Sequence, residues 1–286
     1  MNAENLLTAP TADRDPVPRP EPTVPARRAP RMAAVIGLYY LVTMLGAGAL
    51  GLMQPLLRVD PVVIELTQFG PVLGVLAVVL VWRRGWRPPL AAGLGLSRRV
   101  LVRLLAIVAI GAGIFAATIG AYALLGADVE YTHPGALPHP FWVIAAAQLL
   151  GACAEEFGWR CFLQPYLRTR YGVMTSGTIV GVLWGLWHVQ VFGYGPAYAA
   201  AFLTSAIALS VILAVVLEGA RGRHLLIAGG FHALVNLGLL LLMPEETGDL
   251  RAEVLVASAS VLAALVVAGA RAAGGWPWTR RLGEGQ

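Results

Sequence analysis

The sequence contains no lysine, few charged residues of any kind and only two cysteines. All 21 basic residues are arginine, and 13% of the 286 residues are charged, about half the usual share for a soluble domain. The two cysteines, Cys153 and Cys161, lie eight residues apart in one apolar stretch and have no CxxC spacing. Composition therefore excludes an ordinary soluble enzyme, a disulfide-stabilised secreted domain and a cysteine-based structural zinc site.

Long apolar runs are what the sequence has instead. Hydrophobic residues make up 57% of the chain, and most runs reach the roughly 20 residues that a helix needs to cross a bilayer. Backbone groups in hydrocarbon must be paired within their own segment, so such spans are helices. The sequence predicts an all-α polytopic membrane protein with about eight transmembrane helices. The predicted spans are 32–57, 64–82, 104–125, 141–164, 174–193, 198–219, 225–243 and 254–270.

The ends of the chain differ from this apolar region. Residues 1–31 hold seven prolines and five arginines, a composition that cannot build a core, and they are predicted to be a disordered tail. We therefore predict a transmembrane domain over 32–270, followed by a short C-terminal tail at 271–286.

The arginines predict the orientation of the helices. With the N-terminal tail inside, eighteen arginines fall in inside segments, Arg58 and Arg251 fall in outside loops, and Arg160 lies within a span. This asymmetry predicts that both termini are cytoplasmic and that loops 126–140 and 244–253 face outward. Because the arginines flank apolar spans instead of forming one patch, the expected partner is membrane lipid and not nucleic acid.

Three polar residues stand out in the fourth span. A charge at the centre of a membrane helix costs about 2.5–3.5 kcal/mol on insertion scales, so such residues are candidates for function. Glu156 and Arg160 are four residues apart, with the acid first, which is the favourable order for an ion pair within a helix. Glu155 points about 100° away around the helix. We predict a structural Glu156–Arg160 pair and a Glu155 carboxylate that is left for proton transfer.

Two other spans add histidines. Trp184 and His188 share a face of the fifth span, and His232 and Asn236 share a face of the seventh. Each residue alone has a simpler interpretation as a packing or interhelical hydrogen-bonding group, and the acids alone could serve a proton relay. Together they favour hydrolysis of an amide, in which Glu155 and His188 polarise a water and two donors hold the oxyanion.

Three short motifs carry a resemblance to a known family. EEFGWR at 155–160, WGLWH at 184–188 and HALVN at 232–236 resemble the patterns EExxxR, [FW]xxxH and HxxxN. In that order, on separate transmembrane helices, these are the signatures of the CPBP family. Its members are type II CAAX prenyl endopeptidases and bacteriocin-processing or bacteriocin-immunity proteins, often called Abi proteins. The resemblance covers about 140–240.

The resemblance implies an intramembrane endopeptidase without a covalent nucleophile. Glu155 and His188 would activate the water, and His232 and Asn236 would stabilise the oxyanion. A water-filled cavity opening to the cytoplasm is expected, with a membrane-tethered or lipidated peptide in a bacterial membrane as substrate. The residues expected to support the site are Glu156, Arg160 and Trp184.

Two features of this interpretation have alternatives. No cofactor is expected, but Glu155, His188 and His232 could instead hold a divalent metal such as zinc. The protein could also be a non-catalytic immunity or binding protein of the same family or, less favoured, a proton-coupled transporter.

Helix rise gives depths of roughly 10–14 Å from the cytoplasmic surface for Glu155 and His232, but roughly 20 Å for His188.

The predicted orientation can be tested by cysteine labelling in intact cells. In a background without Cys153 and Cys161, a cysteine at Thr132 is expected to react with a membrane-impermeant thiol reagent, whereas a cysteine at Trp86 is not. Labelling at Trp86 without permeabilisation would reverse the orientation.

Overall fold

The computed structural model describes residues 30–243 and 248–274. In these residues the chain is helical and contains no β-strand beyond one isolated bridge between Ala92 and Arg223. The predicted all-α class is therefore confirmed for the described part of the chain. The predicted disordered tail lies almost wholly outside the described residues, as do residues 275–286 of the predicted C-terminal tail.

The described residues form nine α-helices. A 3-10 turn at Leu66–Phe69 precedes the second helix, a second 3-10 turn at Val189–Tyr194 follows the sixth, and a π-helical turn at Trp159–Leu163 joins the fourth to the fifth. The helices are α1 Met32–Leu57, α2 Gly70–Trp82, α3 Arg98–Leu124, α4 Phe141–Gly158, α5 Gln164–Arg168, α6 Val173–Trp187, α7 Pro196–Val216, α8 Leu225–Leu242 and α9 Leu250–Ala272.

Each predicted span overlaps one of these helical segments, but not all segments have the length and hydropathy of a membrane span. Within the described residues, five helices are long and apolar enough to cross a membrane, namely α1, α3, α7, α8 and α9. The segment 66–82 and helix α6 are shorter apolar helices. Helix α4 has 18 residues, and Gln148, Glu155 and Glu156 lower its hydropathy. The structure thus supports an integral membrane protein, with five of the eight predicted spans supported by length and composition.

The π-helical turn between α4 and α5 binds two loops through hydrogen bonds. Pro165 has no backbone N–H, so carbonyl groups one turn earlier have no donor within the helix. The Cys161 carbonyl accepts a hydrogen bond from the Ala91 N–H at 2.8 Å, and the Arg160 carbonyl accepts one from His224 Nδ1 at 2.8 Å. The loops that contain Ala91 and His224 are therefore held against the helix that carries the two acids.

Helix α4 lies between two groups of buried side chains. It packs against α2 on one side and α8 on the other, while α7 packs against both α6 and α9. One core is aliphatic and comes from α3, α7, α8 and α9. The other is rich in aromatic side chains, among them Tyr39, Trp159, Phe162, Trp184 and Trp187.

Contacts between loops agree with the alternating helix directions that the arginines predict. Asp60 and His139, in two loops predicted to lie outside, are 2.8 Å apart, and this hydrogen bond lowers the pKa of the Asp60 carboxyl. The Gly93 N–H donates to the Gly222 carbonyl at 2.8 Å and joins two loops predicted to lie inside. The grouping of the loops therefore fits the prediction, while the side that faces the cytoplasm stays a prediction.

Close packing of α4 on α1 and α2 depends on a glycine. A Cβ at Gly158 would overlap Pro71 and the Tyr39 hydroxyl, whereas a Cβ at Gly113 in α3 would meet no atom within 4 Å. We expect Gly158→Ala to lower the free energy of unfolding by about 1–3 kcal/mol. Gly113→Ala is the matched control and is expected to be neutral or slightly stabilising. Thermal unfolding of the purified variants measures the difference, and equal melting temperatures would contradict it.

Candidate active site

The Glu155 carboxylate is buried and is held by two neutral donors. Its side chain is 3% exposed. Its Oε2 accepts a hydrogen bond from Trp184 Nε1 at 2.9 Å, and its Oε1 accepts one from Gln68 Nε2 at 3.2 Å. His232 Nε2 lies 4.0 Å from the same Oε1. Glu155 is thus separate from Arg160, as predicted, but it does have partners, and neutral donors orient a carboxylate without cancelling its charge.

Glu156 makes the ion pair that the sequence predicts and one further contact. Its Oε1 accepts hydrogen bonds from Arg160 Nη1 and from His232 Nδ1, both at 2.8 Å. Arg160 Nη2 also donates to Ser210 Oγ at 2.7 Å, which ties the pair to α7. The Glu156–Arg160 pair is therefore confirmed, and Glu156 also orients the ring of a predicted catalytic residue.

The two carboxylates determine what His232 can do. An ionised carboxylate only accepts, so His232 Nδ1 carries a proton and Nε2 faces Glu155. Nε2 can donate a hydrogen bond only when the ring carries both protons. In that state the buried group of Glu155, Glu156, Arg160 and His232 is electrically neutral, which removes the cost of a net charge in an apolar interior.

Trp184 lies at the centre of the site. Its ring contacts His188 and His232 edge to face, with centroid distances of 5.0 and 5.3 Å. The Arg160 guanidinium carbon lies 4.9 Å from the centroid of the ring, within cation–π range. From the sequence, Trp184 is expected to play a supporting role. Its indole N–H donates a hydrogen bond to Glu155, which agrees with that role.

The predicted fifth span places His188 within a helix. In the structure, His188 lies directly after the end of α6. Its Nδ1 is 2.8 Å from the Trp184 carbonyl, which can only accept, so Nε2 keeps a lone pair that can accept a proton from a water. Its ring packs against Trp187 and Phe202. In the part of the chain that the structure describes, no direct hydrogen bond joins His188 to Glu155.

Asn236, the second predicted oxyanion donor, is engaged elsewhere. Its Nδ2 donates to Gln148 Oε1 in α4 at 3.1 Å. The Asn236 amide has two N–H groups, so it can donate to a substrate oxygen either with the second N–H or in exchange for the bond to Gln148.

The sequence predictions do not include Gln68 and Gln148. Each is a single carboxamide in a largely apolar segment, LTQF before α2 and AAAQLL within α4. That isolation is the signal that could have identified them, since a polar side chain in such a segment needs a partner. Gly151, one turn before Glu155, leaves the space that the Gln68 amide fills, because a Cβ there would overlap the amide.

The alternative zinc ligands are not brought together. Residues 30–243 and 248–274 contain no group of three or more His, Cys, Asp or Glu side chains placed to hold a metal ion. The Trp184 ring packs edge to face against both His188 and His232 and so occupies space next to each imidazole. Within the described residues, Glu155, His188 and His232 are therefore not arranged to hold a metal ion together.

The depths inferred from the sequence also need correction. Helix α4 continues through the π-helical turn to Arg168, so Glu155 lies thirteen residues from that end, roughly 20 Å instead of 10–14 Å. His188 lies fifteen residues after Val173, where α6 begins, also roughly 22 Å along the helix. The apparent difference in depth disappears, and Glu155 lies near the middle of its helix and not close to the predicted cytoplasmic end.

Comparison with known families agrees with this site. Residues 137–238 match the family described as type II CAAX prenyl endopeptidase Rce1-like. The matched region contains all three motifs. The family resemblance is confirmed. Glu155, His188, His232 and Asn236 therefore all lie in the Rce1-like region of the chain.

Curated relatives extend the similarity beyond this region. The chain is 27% identical over 245 residues, 82% of its length, to lysostaphin resistance protein A of Staphylococcus aureus strains RF122/ET3-1, Newman and USA300. The alignments cover 56%, 55% and 55% of these proteins. The chain therefore spans about half the length of the curated relatives it matches.

The two adjacent acids are expected to differ in their effect on stability. Glu156→Gln leaves Arg160 and His232 without their anionic partner, and breaking a buried pair costs about 3–5 kcal/mol. Glu155→Gln keeps an oxygen acceptor for Trp184, so its cost is expected to be smaller. The yield of monodisperse protein and the melting temperature of both variants measure this, and equal losses would contradict the assignment.

Proposed function

We propose that this chain is an intramembrane endopeptidase that hydrolyses a peptide bond with a water activated at Glu155. The observation that carries the proposal is the difference between the two adjacent acids. Glu156 binds Arg160 and His232, whereas the Glu155 carboxylate receives hydrogen bonds only from neutral groups. A buried carboxylate that is fixed in orientation by neutral donors, with no cation within direct hydrogen-bonding distance, is suited to accept a proton.

The proposed reaction begins when Glu155 accepts a proton from a water. His188 Nε2 accepts a hydrogen bond from the same water, whose oxygen attacks the peptide carbonyl carbon. The electron pair of the carbonyl moves to its oxygen, which receives hydrogen bonds from His232 Nε2–H and Asn236 Nδ2–H. Glu155 then returns the proton to the leaving nitrogen as the C–N bond breaks, which yields a free amine and a carboxylic acid that ionises on release.

The proposed substrate is a membrane-tethered or lipidated peptide. The site lies about 20 Å from Arg168 along the continuous helical segment of α4, the π-helical turn and α5, within a protein with several membrane-length helices. A substrate must therefore present its scissile bond within the apolar region, which a lipid anchor favours. We propose membrane lipid and the peptide substrate as the partners of this protein, and we expect no binding of nucleic acid.

A non-catalytic role is the second candidate, and the name of the curated relatives favours it. They are called resistance proteins and not proteases. A resistance or immunity protein could keep the same residues for binding without turnover. Cleavage by the purified protein distinguishes the two functions.

The decisive experiment is cleavage of a peptide panel by the purified chain in lipid. Wild-type protein is expected to cleave at least one farnesylated or unlipidated peptide, and Glu155→Gln is expected to lower kcat by at least about 100-fold, the usual contribution of a general base. Glu253→Gln is the matched control, since Glu253 is also buried but contacts Ser205 between α7 and α9. It is expected to keep wild-type activity, and cleavage is expected to survive prolonged chelation.

Three outcomes would contradict the proposal. Absence of cleavage by wild-type protein would favour the binding function. Full turnover by Glu155→Gln would exclude it as the base. Loss of activity on chelation, restored by zinc, would require a metal-dependent mechanism.

A further inference from the structure

We infer that Gln68 and Gln148 form a docking strip for the main chain of an extended substrate peptide beside the scissile bond. The inference rests on the endopeptidase function proposed above and specifies how that site holds its substrate.

The first observation is an unpaired acceptor next to the proposed base. Gln68 is 5% exposed, and its Nε2 donates to Glu155. Among the described residues, its Oε1 is buried and has no hydrogen-bond partner. An unpaired buried carbonyl is costly, so such a group in a native structure calls for a partner that joins later. A peptide N–H is a partner of the correct chemistry.

The second observation is the alignment of these groups along α4. Gln148, Gly151 and Glu155 are spaced by three and four residues and therefore share one face of the helix. The Gln68 amide lies against Gly151, between the other two. From Gln148 to Glu155 the helix rises about 10 Å, which matches about three residues of an extended chain.

The third observation concerns the hydrogen bond between Asn236 and Gln148. When a substrate enters, Asn236 can transfer its N–H from Gln148 to the substrate carbonyl, and Gln148 Oε1 can accept a substrate N–H in its place. One internal hydrogen bond is then exchanged for two bonds to the substrate. Neither Asn236 Nδ2 nor Gln148 Oε1 is left unpaired by this exchange, which matters where water is scarce.

Carboxamides suit this task because they present the same donor and acceptor as a peptide group. A strip of this kind recognises the main chain and not the side chains. The ligand is therefore an extended peptide segment that reaches the site with unpaired backbone groups.

The test uses substrates in which single backbone N–H groups are replaced by ester oxygens. Starting from a peptide that wild-type protein cleaves, esters are placed one at a time within four residues of the scissile bond. At one position we expect wild-type kcat/KM to fall about tenfold, the effect of one lost hydrogen bond. In Gln68→Met the same ester is expected to change kcat/KM by less than about twofold, because the two changes remove one shared contact. Gln148→Met is expected to behave likewise at a second position.

Gln54→Met provides the matched control. Gln54 is 7% exposed and has both ends of its amide bonded to backbone groups of Val59, Ile64 and Leu66. This variant can lose stability, but it is expected to keep the tenfold ester effect of the wild type. A merely structural role for Gln68 would give Gln68→Met the same behaviour.

The outcomes separate the inference from the proposed function. Wild-type cleavage with no ester effect at any position, or an ester effect that is unchanged in both Gln68→Met and Gln148→Met, overturns the docking strip alone. Absence of wild-type cleavage across the panel overturns the endopeptidase function, and the docking strip with it, before any glutamine variant is made.

Discussion

The structure depends on the burial of two adjacent carboxylates in an apolar protein. Neighbouring residues on a helix point about 100° apart, so Glu155 and Glu156 face different neighbouring segments. Glu156 binds Arg160 and, across the interface with α8, His232. Glu155 faces Trp184 of α6 and the segment that begins α2. Burial of both acids therefore requires α2, α6 and α8 to meet around α4.

The π-helical turn sets the height at which α8 meets α4. The Arg160 carbonyl that is left without a helical donor binds His224, the residue directly before α8. His232 follows eight residues later, about 12 Å along that helix, and its side chain leans back toward the start of the helix and so toward Glu156. One residue without a backbone N–H, Pro165, thus contributes to the placement of a proposed oxyanion donor.

The same site combines an ion pair with neutral hydrogen bonds, and the two have different consequences. The charges of Glu156 and Arg160 compensate each other and fix the structure. The bonds from Trp184 and Gln68 to Glu155 fix its direction but leave its charge available. Asn236 Nδ2 donates a hydrogen bond to Gln148, and a substrate oxygen can replace Gln148 as its acceptor. Stability and proposed reactivity thus belong to neighbouring but separate sets of side chains.

The sequence by itself determined the helical class, the positions of the apolar segments and the pairing of Glu156 with Arg160. Hydrocarbon forces apolar segments to be helical, and a spacing of four residues places two side chains together in any helix. Only the tertiary structure decided that Gln68 reaches Glu155 and that Asn236 reaches Gln148, because these pairs are 87 and 88 residues apart and no local pattern links them. The tertiary structure also decided the depth of His188 relative to Glu155. Helix α6 ends at Trp187, and the helical segment that begins with α4 continues through the π-helical turn and α5, past Pro165. Local chemistry thus fixed which groups need partners, and the packing of distant helices fixed which partners they have.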